Sequence, residues 1–194
     1  MSNDTKNEEK VKKLFLLAYH EHQNEKHDEA EKFYKKILKI DPNQADALNN
    51  LASIFFMKKK FKLTLKYLKR LCKQHPQYIE GLNNIARTYA EIQDIPKAIE
   101  YYKKALEIDP SNENTLILIG TLFLKVNEAT KAINCFRFCS ESHPNSALAF
   151  NNLATALEGQ KQFPEALKAA KKAFEIEPEN EMFHIHEKTL KIKQ

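Results

Sequence analysis

The sequence predicts an all-α fold in which pairs of antiparallel helices repeat along the chain. The first observation behind this prediction is the spacing of five prolines, each 34 residues after the last: Pro42, Pro76, Pro110, Pro144 and Pro178. Proline lacks a backbone N–H and disfavours helix at the residue before it, so a fixed period of prolines marks the end of a repeated helical unit. The second observation is composition, because glycine occurs only three times and good helix formers dominate.

The third observation is a set of columns that appear when each proline is placed at position 32 of a repeat. This register divides most of the chain into five repeats without a gap: 11–44, 45–78, 79–112, 113–146 and 147–180. Position 8 is small in every repeat: Ala18, Ala52, Ala86, Gly120 and Ala154. Position 24 is large in four of the five: Tyr34, Leu68, Tyr102 and Phe136, followed by Ala170. Small residues recur where two helices cross closely, and large residues beside them fill the space.

Local signals place the helix ends within this register. Residues 1–10 form a polar lead in which Thr5-Lys6-Asn7-Glu8 has the form of a capping box, so the first helix is expected to begin within the lead. Pro96 and Pro164 both take position 18, in the first turn of a second helix, where the missing N–H costs nothing. Polar residues at position 33 are expected to cap the next first helix: Asn43, Ser111 and Asn145. No linker interrupts the repeats, which indicates one domain.

The columns resemble the tetratricopeptide repeat, whose 34-residue unit carries small residues at positions 8, 20 and 27, a large residue at 24 and proline at 32. The resemblance implies a right-handed α-solenoid of five such repeats followed by a capping helix at residues 181–194. Tryptophan at position 4 and glycine at position 15, both common in the family, are absent. The fold is expected to tolerate this, because other large apolar residues stand at position 4: Leu14, Leu48, Leu82, Leu116 and Phe150.

The expected capping helix has an unusual pattern. Polar residues stand where a repeat has apolar or small ones: His184, Glu187 and Lys188. Its apolar stripe consists instead of Met182, Ile185, Thr189 and Ile192. Either the helix is rotated so that this stripe is buried, or it exposes apolar surface toward the groove. Rotation is the simpler expectation.

The family resemblance implies that function lies on the concave face, which is lined by the first helix of each pair. Helical geometry puts positions 2, 5, 6, 9 and 12 on that face. The partner-binding residues expected from these columns are Phe15, Tyr19, Asn49, Asn50, Ser53, Asn83, Asn84, Arg87, Ile117, Leu118 and Asn152. The middle of the groove is therefore expected to be polar, whereas the apolar residues would anchor a partner at the first and fourth repeats.

Three Asn-Asn pairs at positions 5 and 6 need a reason, because asparagine is a poor residue for a helix interior. One hypothesis is that the amides clamp the backbone of an extended peptide, as an amide offers both a donor and an acceptor. Asn50, Asn84 and Asn152 resemble the asparagine ladder of the O-linked N-acetylglucosamine transferase repeats, although Leu16 and Leu118 break it. The alternative is that the amides only bond to neighbouring side chains. The family's clamp for carboxylate tails is absent, because no three consecutive repeats carry its lysine and asparagine pattern.

The basic residues concentrate in repeat two, where Asp46 is the only acidic residue. They suggest a basic patch made of Lys58, Lys62, Lys66, Lys69, Arg70 and Lys73. A second hypothesis is therefore that this outer stripe binds nucleic acid or an acidic surface, although a solvated lysine face is the usual explanation. A third is self-association through the apolar first helix or the capping helix.

Catalytic, cofactor and metal sites are not expected. The sequence contains no phosphate loop and no nucleophile elbow. Cys135 and Cys139 lie four residues apart on one helix, and packing explains them better than a redox pair. The odd number of cysteines and the lack of a leader favour a reducing, cytoplasmic location, and no apolar run is long enough to span a membrane. The sequence therefore predicts a non-enzymatic adaptor that binds an extended peptide or a helix of another protein.

Overall fold

A computed structural model of the chain describes residues 3–193, with side chains from Thr5 onward. Within this range the chain forms eleven helices and no strand. The helices are α1 Asn3–Gln23, α2 His27–Ile40, α3 Ala45–Met57, α4 Phe61–Gln74, α5 Ile79–Glu91, α6 Ile95–Ile108, α7 Glu113–Lys125, α8 Ala129–Ser142, α9 Ala147–Gly159, α10 Phe163–Ile176 and α11 Glu181–Ile192. The all-α fold of paired helices predicted from the proline spacing is confirmed.

The contacts between residues divide the chain into two compact units, Met1–Tyr101 and Tyr102–Gln194, and the division falls within α6. In the first unit, α1 packs on α2, α3 on both α2 and α4, and α5 on α4. In the second unit, α7 packs on α8, α9 on both α8 and α10, and α11 on α10. Each unit therefore consists of antiparallel helix pairs stacked on their neighbours in sequence order.

The columns of small and large residues build the core of the first unit. Tyr34 is fully buried in one cluster with Ala18 and Ala30, the small residues of positions 8 and 20. The same cluster takes Ile37, Ala47, Leu51, Ile54 and Phe55. The alanines leave the space that the tyrosine ring occupies, as the register predicts.

In the second unit, a glycine takes the place of alanine at position 8. A Cβ atom at Gly120 would lie 2.6 Å from Cε1 and 2.7 Å from Cζ of the fully buried Phe136 ring. These distances are far below normal van der Waals contact, so glycine is required by the close approach of the ring. Toward the end of the unit, Ala147, Ala173 and Phe183 form the cluster that seats α11.

The side chains that cap α3, α7, α9 and α11 stand one position later than the sequence indicated, and α5 has no side-chain cap. The side chains that accept hydrogen bonds from the first turn belong to position 34: Gln44, Asn112, Ser146 and Asn180. Position 33 stays in the turn, because the backbone N–H groups of Asn43 and Ser111 donate to Asp41 Oδ1 and Asp109 Oδ1, each at 3.0 Å. The proposed capping box is also wrong: α1 already begins at Asn3, which places Thr5 inside the helix.

Because glycine is absent at position 15, residues with a Cβ atom adopt an unfavourable backbone conformation there. In every repeat this residue turns the chain from the first helix into the second with φ between 55° and 63°: Glu25, Lys59, Gln93, Asn127 and Lys161. The left-handed region is unfavourable for residues that carry a Cβ, and asparagine tolerates it best. The packing of each helix pair therefore outweighs the local preference of four of these residues.

Candidate functional site

A cleft of about 260 Å³ lies in the first unit between α3 and α5, and α4 contributes to its floor. Three of the residues predicted for partner binding line it: Ser53, Asn84 and Arg87. The other lining residues are Ala52, Phe56, Met57, Thr64, Leu68 and Thr88. The α3–α5 cleft therefore combines an apolar floor with an amide, a hydroxyl group and a guanidinium group, which is the usual composition of a ligand-binding pocket.

The amide of Asn84 is held in place by the preceding repeat. Its Nδ2 donates a hydrogen bond of 2.9 Å to Oδ1 of Asn49, and its backbone oxygen accepts a bond of 2.7 Å from the Thr88 hydroxyl. Asn49 thus bonds to a neighbouring side chain, which is the structural role that the alternative explanation gave to the asparagine pairs. The second amide hydrogen and the Oδ1 atom of Asn84 are not used in this bond, so the side chain retains a donor and an acceptor.

Arg87 provides the positive charge of the cleft. Its guanidinium carbon lies 5.5 Å from the centre of the Phe56 ring, which is a favourable cation–π distance. The side chain is exposed, and no ion pair engages it within residues 3–193. The ring orients the guanidinium group while its N–H donors remain accessible to a ligand.

Phe56 and Met57 were missed as site residues. Phe56 takes position 12, one of the columns assigned to the groove face, so the signal was present in the sequence. Met57 is 46% exposed at the end of α3, and a flexible thioether suits a surface that adapts to apolar side chains.

The structure corrects one expected groove residue. Asn83 is only 2% exposed, although helical geometry had placed it on the open face beside Asn84. An asparagine at this depth is part of the packed interior, and a partner cannot reach its amide. Its counterpart in the preceding repeat, Asn49, is half-buried, and so is Asn50.

The two aromatic anchors expected in repeat one differ in accessibility. Phe15 packs against the core of the first unit, with its ring centre 5.9 Å from that of Tyr34 in an edge-on arrangement. Tyr19 is 51% exposed, and Leu16 and Leu17 beside it are 69% and 49% exposed. Phe15 therefore supports the fold, and the accessible apolar surface of α1 comes from its neighbours.

In the second unit, Ile117, Leu118 and Asn152 are each half-buried. Ile117 packs against a cluster of Leu116, Cys139 and Ala149, so part of its surface is committed to the core.

The bond between Asn49 and Asn84 has a counterpart at the end of the chain. The Nδ1 atom of His186 lies 2.8 Å from Oδ1 of Asn151, and its Nε2 atom lies 3.2 Å from Oε2 of Glu158. His186 thus takes the place in α11 that Asn84 takes in α5, a role that was not predicted from the sequence. Lys193 Nζ also donates to Glu158 Oε1 at 2.5 Å and lowers the pKa of that carboxyl group.

The expectation that α11 is rotated to bury its apolar stripe is wrong. Met182, Ile185 and Ile192 are 72%, 57% and 86% exposed. The buried side chains are Phe183, Glu187 and Leu190, and Lys191 pairs with Glu187 at 2.6 Å. The packing of Phe183 and the bonds of His186 and Lys193 hold α11 in the register of the repeats. The apolar stripe therefore occupies the same positions as the groove-face residues of the repeats.

Two of the six residues of the predicted basic patch of repeat two form bonds to neighbouring helices. Lys58 bonds to Asp28 at 2.7 Å and to Glu31 at 2.6 Å, and these bonds raise its pKa against the opposing effect of burial. Lys69 donates to the hydroxyl group of Tyr89 at 2.8 Å, which raises the pKa of the lysine. Lys69 is nevertheless exposed, and so are the other members of the patch on α4: Lys62, Lys66, Arg70 and Lys73.

Two histidines before the repeat prolines connect consecutive turns. The His75 Nε2 atom lies 3.1 Å from the carbonyl oxygen of Asn43, and that of His143 lies 2.5 Å from the carbonyl oxygen of Ser111. In both cases position 31 of one repeat bonds to position 33 of the repeat before it. This bond between turns was not predicted from the sequence.

The three cysteines are free thiols of low reactivity. Burial raises the pKa of Cys72 and of Cys139 to about 11, and it also raises that of Cys135. The thiolate is the reactive form, so these side chains behave as core residues. Among the described residues, no group of three acidic, histidine or cysteine side chains is arranged to hold a metal ion, and every helix is too short or too polar to cross a bilayer.

Comparison with protein families gives four matches, all to models described as tetratricopeptide repeat. They cover residues 14–44, 33–63, 79–112 and 147–180, which together make up more than half of the chain. A comparison with curated proteins found no match.

Similar solved structures include three proteins that align with this chain over most of their own length. A crystal structure of MamA is 22% identical, with 88% of this chain and 93% of that chain covered and a TM-score of 0.69. The pilF protein of Pseudomonas aeruginosa is 18% identical, with 95% and 84% covered and a TM-score of 0.77. YrrB, described as a TPR protein with an unusual peptide-binding site, is 19% identical, with 91% and 90% covered and a TM-score of 0.64. At these identities the similarity establishes the fold.

Proposed function

The chain belongs to the tetratricopeptide repeat family, and we propose that it is a non-enzymatic scaffold that binds an extended segment of a partner protein on the face formed by its first helices. The observation that carries this proposal is the α3–α5 cleft, where an oriented amide and an accessible guanidinium group stand over an apolar floor. The peptide-binding site described for YrrB is consistent with this use of the fold.

The composition of the α3–α5 cleft defines the segment that it fits. The floor of Phe56 and Met57 accommodates one apolar side chain of the partner. The free donor and acceptor of Asn84 match a peptide group, which offers one carbonyl oxygen and one N–H. Arg87 provides donors for a carbonyl or a carboxylate oxygen beside that side chain. A segment with an apolar residue next to an acidic one therefore matches the apolar floor, Asn84 and Arg87.

The experiment selects 12-residue peptides from a phage-displayed library on the immobilised chain and measures their affinities by fluorescence anisotropy. The key comparison is Arg87→Ala with Arg70→Ala, because both remove one exposed arginine and change the net charge equally. A hydrogen bond to a charged group is worth about 1.5–3 kcal/mol, so Arg87→Ala should weaken binding at least tenfold. Arg70→Ala should leave the affinity within about twofold.

The opposite pattern would indicate that the ligand binds the basic patch on α4 and not the α3–α5 cleft. In that case Arg70→Ala would weaken binding more than Arg87→Ala, and the affinity would fall steeply with added salt. Met57→Ala provides a further check, since loss of the apolar floor should weaken peptides with a large apolar residue and leave others unchanged.

A further inference from the structure

Two pairs of stacked aromatic rings in the first unit each join a first helix to the second helix that follows it. In repeat two, the rings of Phe55 at position 11 and Tyr67 at position 23 stack with centres 5.5 Å apart. In repeat three, Tyr89 and Tyr101 stack in the same way at 5.6 Å. A cation from position 25 of the preceding repeat lies over each position 11 ring: Lys35 at 5.7 Å and Lys69 at 5.4 Å.

Repeat five keeps the cation but lacks both rings. Position 11 is Leu157, position 23 is Ala169, and position 25 of the preceding repeat is Arg137. A groove of about 710 Å³ lies at this place between α8 and α10. Its floor is apolar, with Phe150, Leu153, Leu157 and Ala169, and its rim is charged. The rings that stand at positions 11 and 23 in repeats two and three are thus missing in repeat five, where this groove lies.

We infer that this groove between α8 and α10 binds an aromatic side chain presented by a partner protein. In repeats two and three a tyrosine occupies position 23, where repeat five has Ala169, and Arg137 stands at the position of the lysine that lies over the position 11 ring. A ring inserted here would lie on Leu157 and Ala169 and gain a cation–π contact.

The rim favours a protein as the source of the ring. Both basic and acidic side chains line the groove: Arg137, Lys168, Lys171 and Lys172 with Glu141, Glu165 and Glu175. A polar rim around an apolar centre is the arrangement of a protein interface, and a partner surface with charges of both signs can pair with it.

The rim also covers the floor in the unbound chain. Leu157 and Ala169 are 2% and 6% exposed, and the Arg137–Glu165 ion pair of 3.2 Å joins the two sides of the groove. Both charged side chains are about half exposed or more, so separating them to admit a ring costs little. The groove lies in the second unit and uses no residue of the α3–α5 cleft, so this inference does not depend on the function proposed there.

The experiment uses p-cresol, the side-chain fragment of tyrosine, as a probe followed by NMR. Saturable shifts of the Leu157 and Ala169 methyl signals are expected, with a dissociation constant of about 1 mM for a ligand of this size. Ala169→Tyr restores the ring of repeats two and three and should abolish these shifts at Leu157. Arg137→Gln should weaken p-cresol about threefold but leave 4-methylcyclohexanol, which has no π face, unchanged.

Controls separate loss of the groove from loss of the fold. Ala169→Tyr should retain the helical circular dichroism of the natural chain, and Ala169→Leu, which fills the groove partly, should weaken p-cresol without abolishing binding. Absence of saturable shifts in the natural chain would overturn the inference. So would equal weakening of both probes by Arg137→Gln.

The nature of the partner is tested with displayed 12-residue peptides. Those that bind Ala169→Tyr are removed first, and the remainder are selected on the natural chain. Enrichment of tyrosine, phenylalanine or tryptophan at one position supports a protein partner, and random sequences would refute it. If the occupant is a second copy of the chain, light scattering will show a dimer that Ala169→Tyr converts to a monomer, and the assignment to a different protein is then wrong.

Discussion

Replacing Gly120 with alanine tests how tightly the second unit is packed. In an ordinary helix interior, this change stabilises a protein by about 0.5–1 kcal/mol, because glycine loses more backbone entropy on folding. Here the new Cβ atom would meet the Phe136 ring at 2.6–3.0 Å, and the ring is fully buried and cannot swing into solvent. Overpacking of this kind costs about 1–3 kcal/mol, so the net effect should be destabilisation by about 1 kcal/mol.

Gly159→Ala is the matched control, because no atom lies within 4 Å of the Cβ position there. This variant should be neutral or more stable by a few tenths of a kcal/mol, as the residue is at the end of α9. The two variants should therefore differ by about 1–2 kcal/mol in the free energy of unfolding, measured by urea denaturation followed by circular dichroism.

A double variant identifies the cause. Gly120→Ala with Phe136→Leu recreates the pair of alanine and leucine that repeat two holds at positions 8 and 24, Ala52 and Leu68. The alanine should be tolerated in the presence of leucine, which gives a favourable coupling of about 1 kcal/mol or more in a double-mutant cycle. If Gly120→Ala stabilises the chain as much as Gly159→Ala does, contact with Phe136 does not control this position and the reasoning is refuted.

Two further predictions concern the turns and the last helix. Gln93 has a φ of 63°, so Gln93→Gly should raise the free energy of unfolding by about 1 kcal/mol in urea denaturation. Asn127 has a φ of 60°, and Asn127→Gly should gain less because asparagine tolerates this conformation better. Equal gains would mean that side-chain strain is not the cause. The bond from Lys193 lowers the pKa of Glu158 below its ordinary value of 4.5. A carboxyl group whose pKa is lower in the folded state stabilises the fold above its unfolded pKa and loses that effect as the pH falls through the folded value. The protection factors of the α11 amides, corrected for the intrinsic pH dependence of exchange, should therefore fall below about pH 4.5. Glu158→Gln should lower them at neutral pH and remove most of this acid dependence; an unchanged profile in the variant would contradict the role of the pair.

The candidate site could be predicted in part from the sequence. Helical periodicity was sufficient to select Ser53, Asn84 and Arg87, and the structure brings these three side chains to one cleft. Periodicity could not distinguish Asn83 from Asn84, because both lie near the edge of the same face and their exposure depends on side chains from other helices. Lys58 had been assigned to the basic patch for a similar reason, since its acidic partners Asp28 and Glu31 lie 30 and 27 residues away in the sequence.

The sequence by itself determined the period, the helix pairs and the order of the elements. These features are local, because proline, helix propensity and the alternation of small and large residues act within one 34-residue unit. The tertiary structure decided the features that depend on contacts between units of the repeat. It assigned Asn49 to a bond with Asn84, left the stripe of Met182 and Ile185 exposed, and opened the groove beside Ala169. Each of these outcomes depends on which side chain the neighbouring helix supplies, and that information is distributed over residues distant in the sequence.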